Sequence, residues 1–174
     1  MRALEHFKYC PRCGQPSAPA DAAKCVACAH CGFVLFMNVA SAVGAIIPDD
    51  HGRVLLLRRA NDPRKGKLGA PGGFMDASES VETALRREVM EEVNLEIATM
   101  RYLCAHPNNY AYGEVNYPTS DLFFLCKVKS FDTMQALEEV ASIEFTDPRH
   151  VNAEEIAFPS LYKAIQRYLE NCDA

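Results

Sequence analysis

Gly73-Phe74-Met75-Asp76-Ala77-Ser78-Glu79-Ser80-Val81-Glu82-Thr83-Ala84-Leu85-Arg86-Arg87-Glu88-Val89-Met90-Glu91-Glu92-Val93-Asn94-Leu95 is the stretch on which the reading of this chain turns. It opens on a Pro71-Gly72-Gly73 turn, where the missing Cβ lets backbone come close to a ligand. A run of good helix formers from about Ser80 to Val93 follows, with no Gly or Pro inside it. At about 100° per residue, Val81, Ala84, Leu85, Val89 and Val93 fall on one side of that helix. Glu88, Glu91 and Glu92 cluster at the edge of the same apolar stripe. Two unit charges about 5 Å apart repel by roughly 3 kcal/mol at an effective dielectric of about 20. On an open helix face, like charges one turn apart cost only a few tenths of a kcal/mol. Arg87 reaches Glu91 at i,i+4, but one arginine cannot neutralise three carboxylates. Such oxygen donors, half sunk beside a core stripe, suit a hard divalent cation, Mg²⁺ or Mn²⁺. The competing reading is a solvated acidic face, and the glycine turn ahead of the helix weighs against it.

The chain around this stretch has 174 residues, 49% of them hydrophobic, enough for one domain with a real core and a small appendage. No apolar run approaches the roughly 20 residues of a membrane span. The start, Met1-Arg2-Ala3-Leu4-Glu5-His6-Phe7-Lys8, lacks a secretory apolar region, so a cytoplasmic protein that meets no membrane is expected. The formal net charge of −5 speaks against the electrostatic grip of a general nucleic-acid binder. An acidic protein still binds phosphates where metal ions bridge them.

Five of the eight cysteines lie between Cys10 and Cys31. Clustered in this way, without an export signal, they read as a metal site rather than a disulfide frame. Cys10-Pro11-Arg12-Cys13-Gly14 and Cys28-Ala29-His30-Cys31-Gly32 are two copies of Cys-x2-Cys-Gly. Each can turn two thiolates towards one ion, and four thiolates in tetrahedral array suit Zn²⁺. Cys25 complicates the pairing, because Cys25-Val26-Ala27-Cys28 has the same spacing; the glycine after Cys31 favours Cys28 with Cys31. His30 is read as a bystander. Some 35 residues cannot bury enough surface to fold alone, so the zinc is expected to be structural. Between the knuckles, Gln15 to Ala23 reads as an exposed loop.

Val39 to Ile47 is apolar almost throughout and reads as a buried strand. The turn Pro48-Asp49-Asp50-His51-Gly52 joins it to a second strand, Val54 to Leu57, as a hairpin. Arg58, Arg59, Arg64, Lys65 and Lys67 then concentrate positive charge ahead of the glycine turn. Arg58 and Lys67 are the candidates for holding substrate phosphate. After the helix, Leu95 to Ala105 reads as extended. His106 to Pro118 reads as a loop whose Tyr110 and Tyr112 can stack on a base. Asp121 to Val128 is a central strand, with Asp121 at its head facing the metal cleft. Cys104 and Cys126 are expected to be buried inert thiols. Ser142 to Phe145 is a short strand, and the tail from Pro159 is a packing helix with Leu161, Ala164, Ile165, Tyr168 and Leu169 at helical spacing.

The opening stretch resembles the signature of the Nudix hydrolases, Gly-x5-Glu-x7-Arg-Glu-U-x-Glu-Glu-x-Gly-U, with U a bulky apolar residue. Gly73, Glu79, Arg87, Glu88, Val89, Glu91, Glu92 and Leu95 fit it at the right spacing, and Lys67 to Gly73 matches its usual lead-in. Asn94 stands where the family has glycine; Asn is the next residue best able to end a helix in the left-handed conformation. The cysteine pairs resemble a zinc ribbon, which precedes the Nudix domain in some members, NADH pyrophosphatases among them.

The resemblance implies an α/β fold, a Nudix α/β/α sandwich with a mixed sheet over residues 37–174, preceded by a zinc ribbon over 1–36. It implies metal-dependent attack of water on the pyrophosphate of a nucleoside diphosphate linked to another moiety. By position, Glu88 and Glu92 are metal ligands, and Glu91 is a ligand or the base. Glu79 and Arg87 orient the loop and its carboxylates, with Glu79 a further ligand candidate. The carbonyl of Gly72 or Gly73 completes the site, and Glu138 or Glu139 is the additional carboxylate that the family often places outside the signature. The expected partner is a small nucleotide, ADP-ribose or a relative. NADH pyrophosphatases carry a Ser-Gln-Pro-Trp-type motif after the signature, and this chain has no tryptophan. A homodimer would suit the family. The alternative function is a non-catalytic nucleotide sensor whose ribbon binds nucleic acid or a partner protein.

Overall fold

Three short strands carry the first part of the chain: β1 (Ala18–Ala20), β2 (Cys25–Ala27) and β3 (Val34–Phe36). They form an antiparallel sheet in that order, with Ala18 opposite Ala27 and Cys25 opposite Phe36. β1 falls inside the stretch expected to be loop; its residues borrow the edge of β2, which local polarity does not reveal. The computed structural model describes residues 3–20 and 24–172, so the last three residues of that stretch, 21–23, lie outside the described residues.

Strands β4 (Ala40–Ile46), β5 (Val54–Arg59), β6 (Leu68–Gly69), β7 (Ile97–Tyr112), β8 (Val115–Val128) and β9 (Val140–Thr146) make two three-stranded sheets, ordered β4-β8-β7 and β6-β5-β9. The β5–β9 ladder is antiparallel, while the bridge from Leu68 to Ile156 is parallel. The expected hairpin between β4 and β5 closes only at its turn. Leu55 donates to the Ile47 carbonyl at 2.9 Å and Asp49 accepts from the backbone of His51 and Arg53, but the two strands then enter different sheets.

The apolar runs of β4, β5 and β8 follow from burial on both faces. Ala45, Ile47, Leu55, Leu57, Phe124 and Cys126 join one core with the helix α1 (Val81–Val93). Their neighbours Ile46, Val54, Leu56 and Phe123 join a second core with α2 (Pro159–Cys172). Period two along the strands thus sorts side chains into two layers, with one helix on each. That is the α/β/α arrangement.

The stretch expected as a recognition loop, His106 to Pro118, instead continues the ladder: β7 runs to Tyr112, Gly113 turns at φ 58°, and β8 begins at Val115. By contacts the chain forms two compact units. One comprises Met1–Ala40 with Asn109–Pro118, the other Ser41–Asn108 with Thr119–Ala174. No helix among the described residues is long and apolar enough to cross a membrane.

Candidate functional site

Both Cys-x2-Cys-Gly turns fold alike. Gly14 donates to the Cys10 carbonyl at 2.9 Å and Gly32 to the Cys28 carbonyl at 3.0 Å, with both glycines near φ 70° (72° and 71°), where a side chain would be strained. Their sulfurs meet: Cys10 Sγ lies 3.7 Å from Cys31 Sγ, and Cys13 Sγ 3.6 Å from Cys28 Sγ. Four sulfurs about 2.3 Å from one ion at tetrahedral corners stand about 3.8 Å apart. Cys10, Cys13, Cys28 and Cys31 therefore fit a Zn²⁺ centre. The amide of Cys31 draws the Cys28 thiol down to about 6 against its burial. At Cys13 the pull of Gln15 is outweighed by burial and the facing sulfurs, which push it up to about 12. Four crowded thiols ionise unequally, and a divalent ion lets all four become thiolates. Cys25 stays outside this group, buried in β2 opposite Phe36, and His30 is exposed.

The second centre is built on α1. Ser80 caps the helix, its hydroxyl accepting from Thr83 N–H at 3.2 Å. Ala84, Leu85, Val89 and Val93 are buried and anchor the inner face, while Val81 is half-buried. Glu88, Glu91 and Glu92 thereby stand at the rim. Arg87 is the hub: its Nε and second amino group reach Glu79 at 2.8 and 2.9 Å, and its first amino group reaches Glu88 at 2.9 Å and Glu91 at 3.0 Å. Both Glu79 oxygens are engaged by Arg87, and with the Asp76 amide this holds the Glu79 carboxyl down at about 2.

Glu92 receives no bond from Arg87. It accepts instead from Gly72 N–H at 2.7 Å, and burial pushes its carboxyl up to about 8 against that bond. Burial also raises Glu88, more than Arg87 lowers it. The glycine pair is required by the protein's own close approaches. A Cβ on Gly72 would lie 2.0 Å from the Val43 carbonyl oxygen, and one on Gly73 would lie 2.6 Å from a Glu88 oxygen. The Gly73 carbonyl is taken by Val43 N–H at 2.9 Å; that of Gly72 accepts no hydrogen bond among the described residues. Four carboxylates thus face Arg87 and the charge of Arg59, which bears on Glu92 together with that of Glu139. This crowd of oxygen donors around one glycine turn fits a hard divalent cation.

The other sequence candidates are spread out. Arg58 donates to the Gly66 carbonyl at 2.8 Å and pairs with Glu144 at 3.2 Å, and Lys67 donates to the Glu154 carbonyl at 2.7 Å. Tyr110 and Tyr112 belong to the unit that holds the cysteines, outside the unit that holds the carboxylates. Asp121 does not present its carboxylate to the metal cleft as expected. It is buried and accepts from Asn108 at 2.9 Å, Thr119 at 2.7 Å and Ser160 at 2.5 Å, a polar knot that ties α2 to the sheet. Cys126 is fully buried, its thiol pushed up to about 12, while Cys104 is half-buried and also raised by burial. Arg59 belongs to the cationic cluster read ahead of the glycine turn, from which the sequence singles out Arg58 and Lys67 rather than Arg59. Its guanidinium lies 5.5 Å from the centre of the Phe158 ring and its Nε bonds the Pro63 carbonyl at 2.8 Å. Strand alternation separates Arg58 from Arg59 but does not say which of them faces α1.

Known proteins resemble this chain over most of its length. Residues 39–168 match the model of the NUDIX domain. The chain is 34% identical over 126 residues to the human mitochondrial NAD(P)H pyrophosphatase NUDT13, covering 72% of this chain and 33% of that protein. It is 27% identical over 135 residues to the NAD-capped RNA hydrolase NudC of Haemophilus influenzae (strain PittGG), covering 69% and 50%. The chain therefore spans half or less of the length of these relatives. Among solved structures, a NUDIX hydrolase from Nitrosomonas europaea superposes with a TM-score of 0.72 at 25% identity, over 94% of this chain and 91% of that one. A match running through both cores and the glutamate helix leaves one assignment: the chain belongs to the NUDIX family.

Proposed function

We propose that the protein hydrolyses the pyrophosphate bond of a nucleoside diphosphate linked to another moiety, with ADP-ribose and related nucleotides as the substrate class. The observation that carries this reading is the gathering of Glu88, Glu91 and Glu92 beside the glycine turn, with Glu88 and Glu92 half-buried and Arg87 bonded to Glu88 and Glu91 but not to Glu92. Glu88, Glu91, Glu92 and the carbonyl of Gly72 would hold Mg²⁺ or Mn²⁺, while Glu79 serves to aim Arg87. The bound ion supplies Lewis-acid stabilisation of the phosphate oxygens and a more acidic water.

The residues of the chain do the positioning. Arg87 fixes Glu88 and Glu91 relative to the loop, and the Gly72 amide fixes Glu92. Arg59, held by Pro63 and Phe158, offers a cation to the substrate phosphates. Of the two carboxylates considered outside the signature, Glu139 is the one whose charge reaches Glu92. Glu91 or Glu139, each with access to solvent, takes the proton from the attacking water. Zinc at the four cysteines is structural, since four thiolates leave no open position. Two copies could associate as a dimer in the cytoplasm without altering this assignment.

NAD(P)H is the second reading, favoured by the names of the human relative and by the NAD cap named for the Haemophilus one. The competing class, a nucleotide sensor, is disfavoured by the retention of all the signature glutamates. The test is a screen of the purified protein with Mg²⁺ against ADP-ribose, NADH, sugar nucleotides, dinucleoside polyphosphates and nucleoside triphosphates. Release of a nucleoside monophosphate from ADP-ribose is expected. Binding to nucleic acid at physiological salt, with no phosphate bond cleaved in any nucleotide, would establish the sensor instead.

A further inference from the structure

The carboxyl end of α1 is sealed by more than its cap. Asn94 adopts the left-handed conformation (φ 54°, ψ 41°) and its N–H closes on the Met90 carbonyl at 3.1 Å. Carbonyls at a helix end are orphans, and here a later segment takes those of Glu92, Val93 and Asn94. Leu137 N–H donates to Glu92 at 3.0 Å, Gln135 N–H to Val93 at 3.1 Å, and the Thr133 hydroxyl to Asn94 at 2.9 Å. One further bond runs the other way, from Asn94 Nδ2 to the Thr133 carbonyl at 2.8 Å. The Asn94–Thr133 contact is therefore reciprocal. Glycine, the residue of the family pattern, would keep the backbone conformation but has no group to make the return bond.

This seam ends beside the carboxylates. Glu138 turns the chain at φ 41°, and the carbonyl of Glu139 is gripped from the other side by Ala60 N–H at 2.8 Å, at the end of β5. Glu139 is thus delivered between the last turn of α1 and the end of β5, and its charge bears on Glu92. We propose that Asn94 is a positioning residue: through its paired bonds with Thr133 it holds segment 133–139 against the end of α1 and so fixes the Glu139 carboxylate beside Glu92. The part given to Glu139 rests on the hydrolytic reading above; the tether has a readout that needs no substrate.

Asn94→Gly keeps the left-handed cap and removes one bond; Thr133→Val removes the other and leaves residue 94 untouched. In the zinc-bound protein without added Mg²⁺, amide exchange at Gln135 and Leu137 is expected to quicken about five- to tenfold in either variant, the worth of one hydrogen bond. Amides within α1 should keep their protection. With Mg²⁺ and ADP-ribose, kcat should fall about three- to tenfold while KM stays within about twofold, as for a displaced reacting group. In a Glu139→Gln background, Asn94→Gly should cost nothing further, because the group it positions is gone. Unchanged exchange at Gln135 and Leu137 in both variants overturns the tether. An undiminished loss of kcat in the Glu139→Gln background overturns the positioning role. If Asn94→Gly also loosens α1, Thr133→Val decides between the two. If the wild-type protein cleaves no nucleotide, it is the hydrolytic reading that fails, and exchange still judges the tether.

Discussion

Gly72 and Gly73 are adjacent but answer to different neighbours. A Cβ at Gly72 would strike the backbone of β4, 2.0 Å from the Val43 carbonyl oxygen, and backbone cannot swing aside as a side chain can. A Cβ at Gly73 would strike only the end of the Glu88 side chain, which can swing away. Gly72→Ala should therefore destabilise the protein by about 3 kcal/mol or more, read as a drop in the midpoint of thermal or denaturant unfolding. Gly73→Ala should leave that midpoint within about 1 kcal/mol of wild type and lower Mg²⁺-supported turnover at least about tenfold by displacing Glu88. Glu92→Gln tests the neighbouring carboxylate. The amide oxygen can still accept from Gly72, so the fold should survive, while turnover falls at least about a hundredfold. Wild-type turnover in that variant would remove Glu92 from the site. The glutamate trio was legible in the sequence because helical spacing alone brings Glu88, Glu91 and Glu92 to one edge. Asn94 was legible as a left-handed cap, though its bond to Thr133 was not, since a separation of 39 positions carries no periodic signal. Arg59 was hidden for another reason: it shares a strand end with Arg58, and only the surrounding elements decide which of the two looks towards α1.

At the scale of elements, α1 is held by a cap at one end and a buried stripe along one side. Ser80→Ala should cost about 1 kcal/mol by freeing the Thr83 amide. Leu85, fully buried, lies in the core that α1 shares with β4, β5 and β8, and Leu85→Ala should cost about 3 kcal/mol through lost contacts and the cavity left behind. Denaturant midpoints at constant slope check both. A Leu85→Ala loss no larger than the Ser80→Ala loss would mean the stripe is not what anchors the helix. The strands β4, β5 and β8 were readable because two-sided burial leaves an unbroken apolar run. The long hairpin of β7 and β8 was not. Pro107, the amides and the tyrosines read as loop chemistry, yet β7 lies at the edge of its sheet, where a proline costs little on the unpaired side. The turn between β4 and β5 announced itself through Asp49 and Gly52. The parting of its strands into separate sheets depends on partners, β8 and β9, that come some 60 to 90 residues later, beyond the reach of local pattern.

Across the whole molecule, the four cysteines and the three-stranded sheet form a unit too small to hold itself together by burial. Structural zinc contributes on the order of 10 kcal/mol in comparable peptides. One zinc per chain is expected, and a strong chelator should collapse the amide signals of residues 10–36 while those of α1 persist; a protein that stays ordered there without zinc would refute this. That unit also takes in the tip of the β7–β8 hairpin, residues 109–118, so the polypeptide passes between the two units three times rather than once. A ribbon built this way is not a detachable module. Deleting residues 1–40 would strand the hairpin tip without the remainder of its unit, and expressing them alone would give a fragment missing one wall. Shuffling the ribbon onto another scaffold, by recombination or by a protein engineer, would need two segments moved together.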